Sequence, residues 1–453
     1  MSMAIMLGLL NLIIEGDFRQ YFQNLKKNKF FIAVLVFYLL HIIALIWSDN
    51  MEYGLNDIRR KTSLIAIPII VLAKPIDLRK SYNTIIFCFL GALIVTSAMN
   101  VVSYYLMGDY FEFNDIRDMS LFNSHIRYAI MIAMGIPLLL EFKKGDKKRD
   151  SVLILLIIWF LFYTYLSQIL TGLISVAAIL FGFVLFKLIV ERKMKSLLFL
   201  FASAITGISL LYYALFLNHE PTNESVANFP SMKKVWNEKS DIPFDSLDKR
   251  DQELKYTLSR FLDSKGLPKN GKGVSDLTTN EIMSVEKGMA SESEMKIGFW
   301  GRIEGLKYQI HHTSNPNGHS LLQRLEAWDV GKQIFKDHIY LGVGTGDLDD
   351  VYKSKYKETG TKLTLENQIR AHNTYLTSLI TFGAIGLISL LYMMISFVKT
   401  QVDNRHLMGF LFIFVMLVTF FFEDTLETQT GVTLFSFFAA LYSVPIPPRT
   451  IDS

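Results

Sequence analysis

The chain has 453 residues, of which 51% are hydrophobic, 19% charged and 35 phenylalanine. A soluble globular protein carries about a quarter charged residues, and these apolar residues come in long blocks, so a soluble fold is excluded. The formal net charge of +4 lies mostly in short loops between those blocks, which makes it a topology signal and not a nucleic-acid footprint.

A helix needs about 20 residues to cross a ~30 Å hydrocarbon core at 1.5 Å per residue. In chain order, 3–14 is a short apolar segment, 30–48 a full span, 62–73 a short one, 82–107 a long one and 126–140 another short one. The block 151–190 is too long for one span. Its polar interruption (Thr164, Ser167, Gln168, Thr171, Gly172) predicts two helices joined by a tight turn. Residues 196–217 follow, and 374–398, 407–422 and 431–446 close the chain. The pattern predicts an all-α polytopic membrane protein of about eleven transmembrane helices.

Lysine and arginine gather at 26–29, 74–80, 143–149, 192–195 and 399–405. These five loops fall on one side, which the positive-inside rule makes cytoplasmic. The opposite loops "GDYFEFNDIRD" (108–118) and "FEDTLETQ" (422–429) are acidic or mixed, and "DIRRK" (57–61) runs against the trend. The opening "MSMAIMLGLLNLIIEG" lacks the charged start and cleavage site of a signal peptide. On this map it enters from the outside, which leaves room for one further helix upstream. A single cysteine, Cys88, lies in an apolar span, so no disulfide framework or metal-spaced set is expected.

The expected domains are 1–217, N-terminal membrane helices; 218–370, a domain-sized periplasmic insertion; and 371–453, C-terminal membrane helices. Residues 218–300 predict short helices and mobile loops without chemistry. "GHSLLQRLEAWDVGKQIFKDH" predicts an amphipathic helix resting on Leu321, Leu325, Trp328, Ile334 and Phe335. "LGVGTGDLDDVYKSKYKETG" predicts a glycine turn, a second helix capped by Asp347 and a terminating glycine.

Arg324 shares a helix face with Ser320 and Trp328 at i, i+4 spacing. A planar guanidinium beside an aromatic suits a pyrophosphate; equally, it can pack on Trp328 and pair with Glu326 or Asp329. His372 stands at the outer end of a membrane helix. A neutral imidazole there can serve as a general base, kept neutral by nearby Arg370 and Arg324, or as an interfacial anchor with Asn373 as helix cap. Arg127, with His125 before it, and the trio Arg59, Arg60 and Lys61 read either as a positive pocket for an anionic headgroup or as snorkelling anchors. "GVGTGD" has neither P-loop spacing nor a βαβ setting and reads as a structural turn. "DLDD" lacks the rest of a calcium loop. His311, His312 and His319 are irregularly spaced, so no metal site is expected.

"SLLQRLEAW", "IYLGVGTGD" and "NQIRAHNTYLTSLITFGAIGL" in this order, then "FFEDTLETQTGVTLFSFFAALY", resemble the O-antigen ligase and polymerase superfamily of bacterial envelope enzymes. The resemblance covers 318–446 in motif and the earlier helices in layout. It implies transfer of a glycan from an undecaprenyl-pyrophosphate-linked donor at the outer face of the inner membrane, with no cofactor, metal or nucleotide. It implies His372 as the base on the acceptor hydroxyl and Arg324 on the donor pyrophosphate. Arg127, Arg59, Arg60, Asn373 and Trp328 are then the expected substrate-binding set. One departure is Leu170, which stands where many members have an arginine, so Arg127 or Arg59 is expected to take that role. The expected acceptor is a lipid A core, as in a ligase. Alternatives are a repeat-unit polymerase of the same superfamily and, less well matched, a lipid-linked glycan transporter. A transporter needs paired ionisable groups near the bilayer midplane, whereas here polar groups gather at the outer ends.

Overall fold

The computed structural model describes residues 3–74, 78–111, 113, 116–213, 215, 227–249, 252–295, 303, 306–307, 310, 316–317 and 320–444. Among the described residues the chain is helical, with one isolated antiparallel bridge between Leu247 and Glu253 and no sheet. A helix stands in each apolar segment read from the sequence: α1 (Met3–Glu15), α3 (Lys29–Ile43, continued as a 3-10 turn to Trp47), α5 (Ser63–Ala73), α6 (Leu78–Leu106), α7 (His125–Glu141), α8 (Lys147–Leu166), α9 (Leu170–Val190), α10 (Met194–Tyr212), α17 (Thr374–Asp403), α18 (Leu407–Thr419) and α19 (Gln429–Ser443). The helices α2 (Phe18–Lys27) and α4 (Met51–Lys61) were not foreseen, nor was the single helical turn Gly108–Phe111. Among the described residues six helical stretches are long and apolar enough to cross a membrane: Lys29–Trp47, Ser81–Leu106, Lys147–Leu166, Leu170–Val190, Met194–Tyr212 and Thr374–Asp403.

Local chemistry sets the boundaries. Asn28 accepts the Phe31 N–H at the start of α3, and Asp146 does the same for Arg149 in α8; such caps satisfy amides that have no intrahelical acceptor. The expected turn inside 151–190 is Ser167–Ile169, with Gln168 at φ 53°. The bundle packs α3 on α17, α9 on α7 and α18, and α5 on α19. Its interior holds Phe30, Phe37, Phe160, Tyr163, Phe397, Phe412 and Phe435, all below 3% exposed.

The insertion contains two packed modules. In the first, α11 (Phe229–Lys239), α12 (Leu254–Ser264), α13 (Gly271–Ser275) and α14 (Thr279–Glu286) enclose Trp236, Phe244, Leu258 and Phe261. The expected short helices are present and have a core of their own. In the second, α15 (Ser320–Asp337) and α16 (Leu348–Thr359) bury Ala327, Val330, Ile334, Tyr352 and Tyr356 with Leu376 and Ile380 of α17. The site stands on this second module.

The GVGTGD segment joins module to bundle. Val343 and Gly344 donate their N–H groups to the carbonyls of Ile380 and Thr381 at 2.9 and 3.0 Å, and the Thr345 hydroxyl donates to the His41 carbonyl at 2.7 Å. It is a structural turn, as its sequence predicted. Asp347 differs from expectation: its carboxylate leaves α16 uncapped and instead accepts the N–H groups of Asp49 and Asn50 before α4, at 2.8–3.0 Å. α17 breaks at Gly383, where φ is +67° and the Ala384 N–H donates to the Ile339 carbonyl at 2.8 Å. Gly383 serves this break and the loop lodged against it, while Gly386 stands against Ser378 and Phe382 of the arm before the break.

Candidate active site

His372 ends the insertion one residue before the Asn373 cap of α17, whose side-chain oxygen accepts the Leu376 N–H at 3.0 Å. Its φ of 45° is left-handed, which costs a residue with a Cβ about 1–2 kcal/mol. Neighbours hold it there. Trp328 on α15 donates its indole N–H to the Ala371 carbonyl at 2.6 Å. On the other side, the Thr374 N–H donates to the Phe420 carbonyl at 2.9 Å and its hydroxyl to the Glu423 carbonyl at 2.8 Å. The imidazole is half-buried, and its Nδ1 is buried without a hydrogen-bond partner among the described residues.

Those contacts stitch the start of α17 to the connector 420–428 between α18 and α19, and the connector brings three carboxylates to the site. Glu423 accepts from Arg127 Nη2 at 2.7 Å. Asp424 accepts from the Thr377 hydroxyl at 2.8 Å. Glu427 pairs with Lys61 at 2.7 Å and with Arg370 at 3.5 Å. Lys61 also pairs with Asp57 one turn earlier at 2.6 Å. Buried charges survive only when paired and hydrogen-bonded, and here α4, α7 and α17 contribute to the pairing together with the connector and the Arg370 loop.

The electrostatics follow from this layout. Burial disfavours the charged form of His372 and lowers its pKa; Asp424 opposes that, and Arg324, Arg370 and Arg127 reinforce it. The ring is therefore neutral at pH 7. Burial pushes Glu423 and Asp424 up, with Arg127 and Arg370 respectively working against it. Burial would raise Glu427 too, but Lys61 and Arg370 hold it down to about 2.

The arginines divide by what occupies them. Arg370 donates to Tyr53 at 3.1 Å and pairs with Asp349 at 3.3 Å as well as Glu427; its fork ties the His372 loop to α4 and α16. Arg127 is committed to Glu423, although its Nε and the Glu423 Oε2 are both buried without a partner among the described residues. Arg324 is half-buried, feels Glu423 and Asp424, and makes no hydrogen bond or ion pair with a described residue. Its five donors are uncommitted beside a neutral imidazole, an arrangement able to receive an anion next to a base.

The structure thus brings His372, Arg324, Trp328, Asn373 and Arg127 to one place. Arg59 is exposed on α4, and Arg60 lies over the Tyr53 ring at 5.6 Å from its centroid; of that trio, Lys61 enters the buried network. Leu170 begins α9 with no cation in its place. Sequence reasoning missed Glu423, Asp424, Glu427 and Asp57. The available signal was three carboxylates within five positions of one short connector, on a face already rich in unexplained arginine. Among the described residues no group of His, Cys, Asp and Glu is arranged to hold a metal ion; His311, His312 and His319 lie outside the described residues.

A search of curated proteins found no match to the chain. A family model described as O-Antigen ligase matches residues 152–391, more than half of the chain. The match takes in α8 from Val152, α9, α10, the insertion, His372 and α17 as far as Leu391, and ends before the acidic connector. With apolar spans and a histidine–arginine cluster where the second module of the insertion meets the membrane helices, the chain is a multi-pass membrane protein and belongs to the O-antigen ligase family.

Proposed function

We propose that the protein is a ligase that moves a glycan from an undecaprenyl-pyrophosphate carrier to a lipid A core acceptor at the periplasmic face of the bacterial inner membrane. The observation that carries this reading is the pairing of a neutral His372, held left-handed with its Nδ1 buried, with an Arg324 whose guanidinium is uncommitted.

The acceptor hydroxyl oxygen forms a bond to the anomeric carbon of the donor sugar while His372 takes its proton. The bond from that carbon to the pyrophosphate oxygen breaks, and the carrier pyrophosphate leaves with the electron pair. Arg324 neutralises the charge that develops on it, which a bidentate fork does better than an ammonium. Arg127 shares that anion, taking the role left open at Leu170. Trp328 holds the His372 loop and offers its ring to the glycan. The Asn373 oxygen is used as helix cap, so its amide nitrogen is the part left for a sugar. Arg59 and Arg60 add positive field on the approach.

The test is the lipid A core of a strain lacking the protein. Bare core together with long carrier-linked polymer supports the ligase reading. Core bearing a single repeat would instead assign the repeat-unit polymerase reaction of the same superfamily.

A further inference from the structure

The turn after α15 exposes three consecutive apolar side chains, Ile339 at 43%, Tyr340 at 81% and Leu341 at 54%. It is nonetheless fixed in the bundle. Ile339 accepts the Ala384 N–H at the break of α17, and Val343 and Gly344 bond to the turn of α17 just before it. A segment this ordered, with side chains this apolar, calls for a partner that the described residues do not supply.

Its height identifies that partner. Phe30 and Phe397 touch at a ring distance of 5.1 Å near one end of the paired helices α3 and α17. His41 and Phe382 touch at 4.5 Å towards the other end, and Thr345 bonds to His41. The turn therefore lies level with the last turns of the apolar stretch Lys29–Trp47. The arm of α17 beyond the break, Ala384–Asp403, is about 20 residues and so about 30 Å long, the thickness of a hydrocarbon core. The turn lies at its end. Ile385, Ile388, Tyr392 and Ile395 form an exposed apolar stripe at helical spacing that starts beside it. Exposed Lys336 and His338 precede the apolar triplet, with Asp337 between them paired to Lys355 at 2.9 Å. Apolar side chains around a tyrosine, with basic residues adjacent, match the interfacial layer of a bilayer containing anionic lipid.

We infer that Ile339–Leu341 is a lipid-inserted anchor that seats the second module of the insertion on the bilayer. Because α15, which carries Arg324 and Trp328 on its earlier turns, runs into this turn, the anchor sets the height of the arginine–histidine cluster above the membrane. This goes beyond the proposed reaction and stands whichever glycan is transferred.

The experiment uses full-length protein with Cys88→Ser and Tyr340→Cys, labelled with an environment-sensitive fluorophore. It is reconstituted in vesicles of phosphatidylethanolamine and phosphatidylglycerol. Lys353→Cys, at an exposed position on α16, is the aqueous reference, and Leu341→Cys replaces Tyr340→Cys should that variant not fold. The anchor gives blue-shifted emission relative to the reference, loss of intensity with lipids carrying a nitroxide near the headgroup, and protection from aqueous iodide. Emission and iodide access equal to the reference would overturn the inference. So would a blue shift that lipid nitroxides leave unchanged, since that result places a second copy or another protein on the turn.

Discussion

Trp328 and Ala371 meet through one hydrogen bond, the indole N–H on the carbonyl at 2.6 Å, and the next residue is His372. The bond joins α15, which carries Arg324, to the residue expected to act as base. Trp328→Phe keeps the ring and removes the donor. A buried carbonyl left without its donor costs about 1–3 kcal/mol. If that cost falls on the His372 conformation, turnover drops about ten-fold for each 1.4 kcal/mol, with protein level unchanged. Single-turnover glycan transfer in proteoliposomes measures it, and wild-type turnover would reduce Trp328 to a packing residue.

Arg127 and Glu423 form the best-buried arginine pair of the cluster, at 12% and 4% exposure. Removing one partner strands a buried charge, which costs about 3–5 kcal/mol. Arg127→Ala and Glu423→Ala should each lower the thermal unfolding temperature in detergent, and the double variant should lose less than the sum of the two. Transfer should remain impaired in the double variant, because restoring stability does not restore the cation. Strictly additive losses would mean that the two do not act as a pair.

The pH dependence follows from His372. Its pKa lies below the ordinary 6.5, through burial first and then through Arg324, Arg370 and Arg127 against Asp424. A lowered pKa means that the folded state favours the neutral ring. The associated stability is present above 6.5 and is lost as pH falls below it through the folded value. Activity should follow the same sign: a plateau at neutral pH and an acid limb below 6.5. Arg324→Gln removes a cation and should move the limb of the residual rate to higher pH. An unmoved limb would separate Arg324 from the imidazole.

Gly383 carries φ +67°, and a Cβ there would stand 2.4 Å from the Tyr340 carbonyl oxygen. Gly383→Ala should destabilise by more than the about 1–2 kcal/mol of the left-handed backbone alone. It should also loosen the 339–344 loop, seen as faster amide exchange at Val343 and Gly344. Gly91, with open space around its Cβ inside α6, is the control: Gly91→Ala should stabilise by about 0.5–1 kcal/mol. Equal effects at the two positions would contradict the lodged-loop geometry.

The legible parts of this protein are those with periodic or capped sequence. Apolar blocks placed the membrane helices, and the polar gap near Ser167 placed the turn between α8 and α9. The run ahead of α17 marked His372 and Asn373, and one helical face marked Arg324 and Trp328. Other features depend on chain segments far apart. Glu423, Asp424 and Glu427 look like solvated loop acids until α18 and α19 carry them to Arg127, Thr377 and Lys61. Asp347 looks like a cap for its own helix until α4 offers unpaired amides. A glycine in an apolar helix resembles a packing residue, and only the arrival of the 339–344 loop turns Gly383 into a break. Arg59 and Lys61 are two positions apart, and helical rotation sends one outward and the other into the ion-pair network.

The most direct test of the central claim is transfer by purified protein in proteoliposomes, from an undecaprenyl-pyrophosphate-linked glycan to a lipid A core acceptor, comparing wild type with His372→Ala and Arg324→Ala. Loss of a positioned general base removes about 10²–10⁴-fold in rate. Both variants should fold and reconstitute as the wild type does while glycan transfer falls by that order. Wild-type transfer by correctly folded His372→Ala would contradict the account.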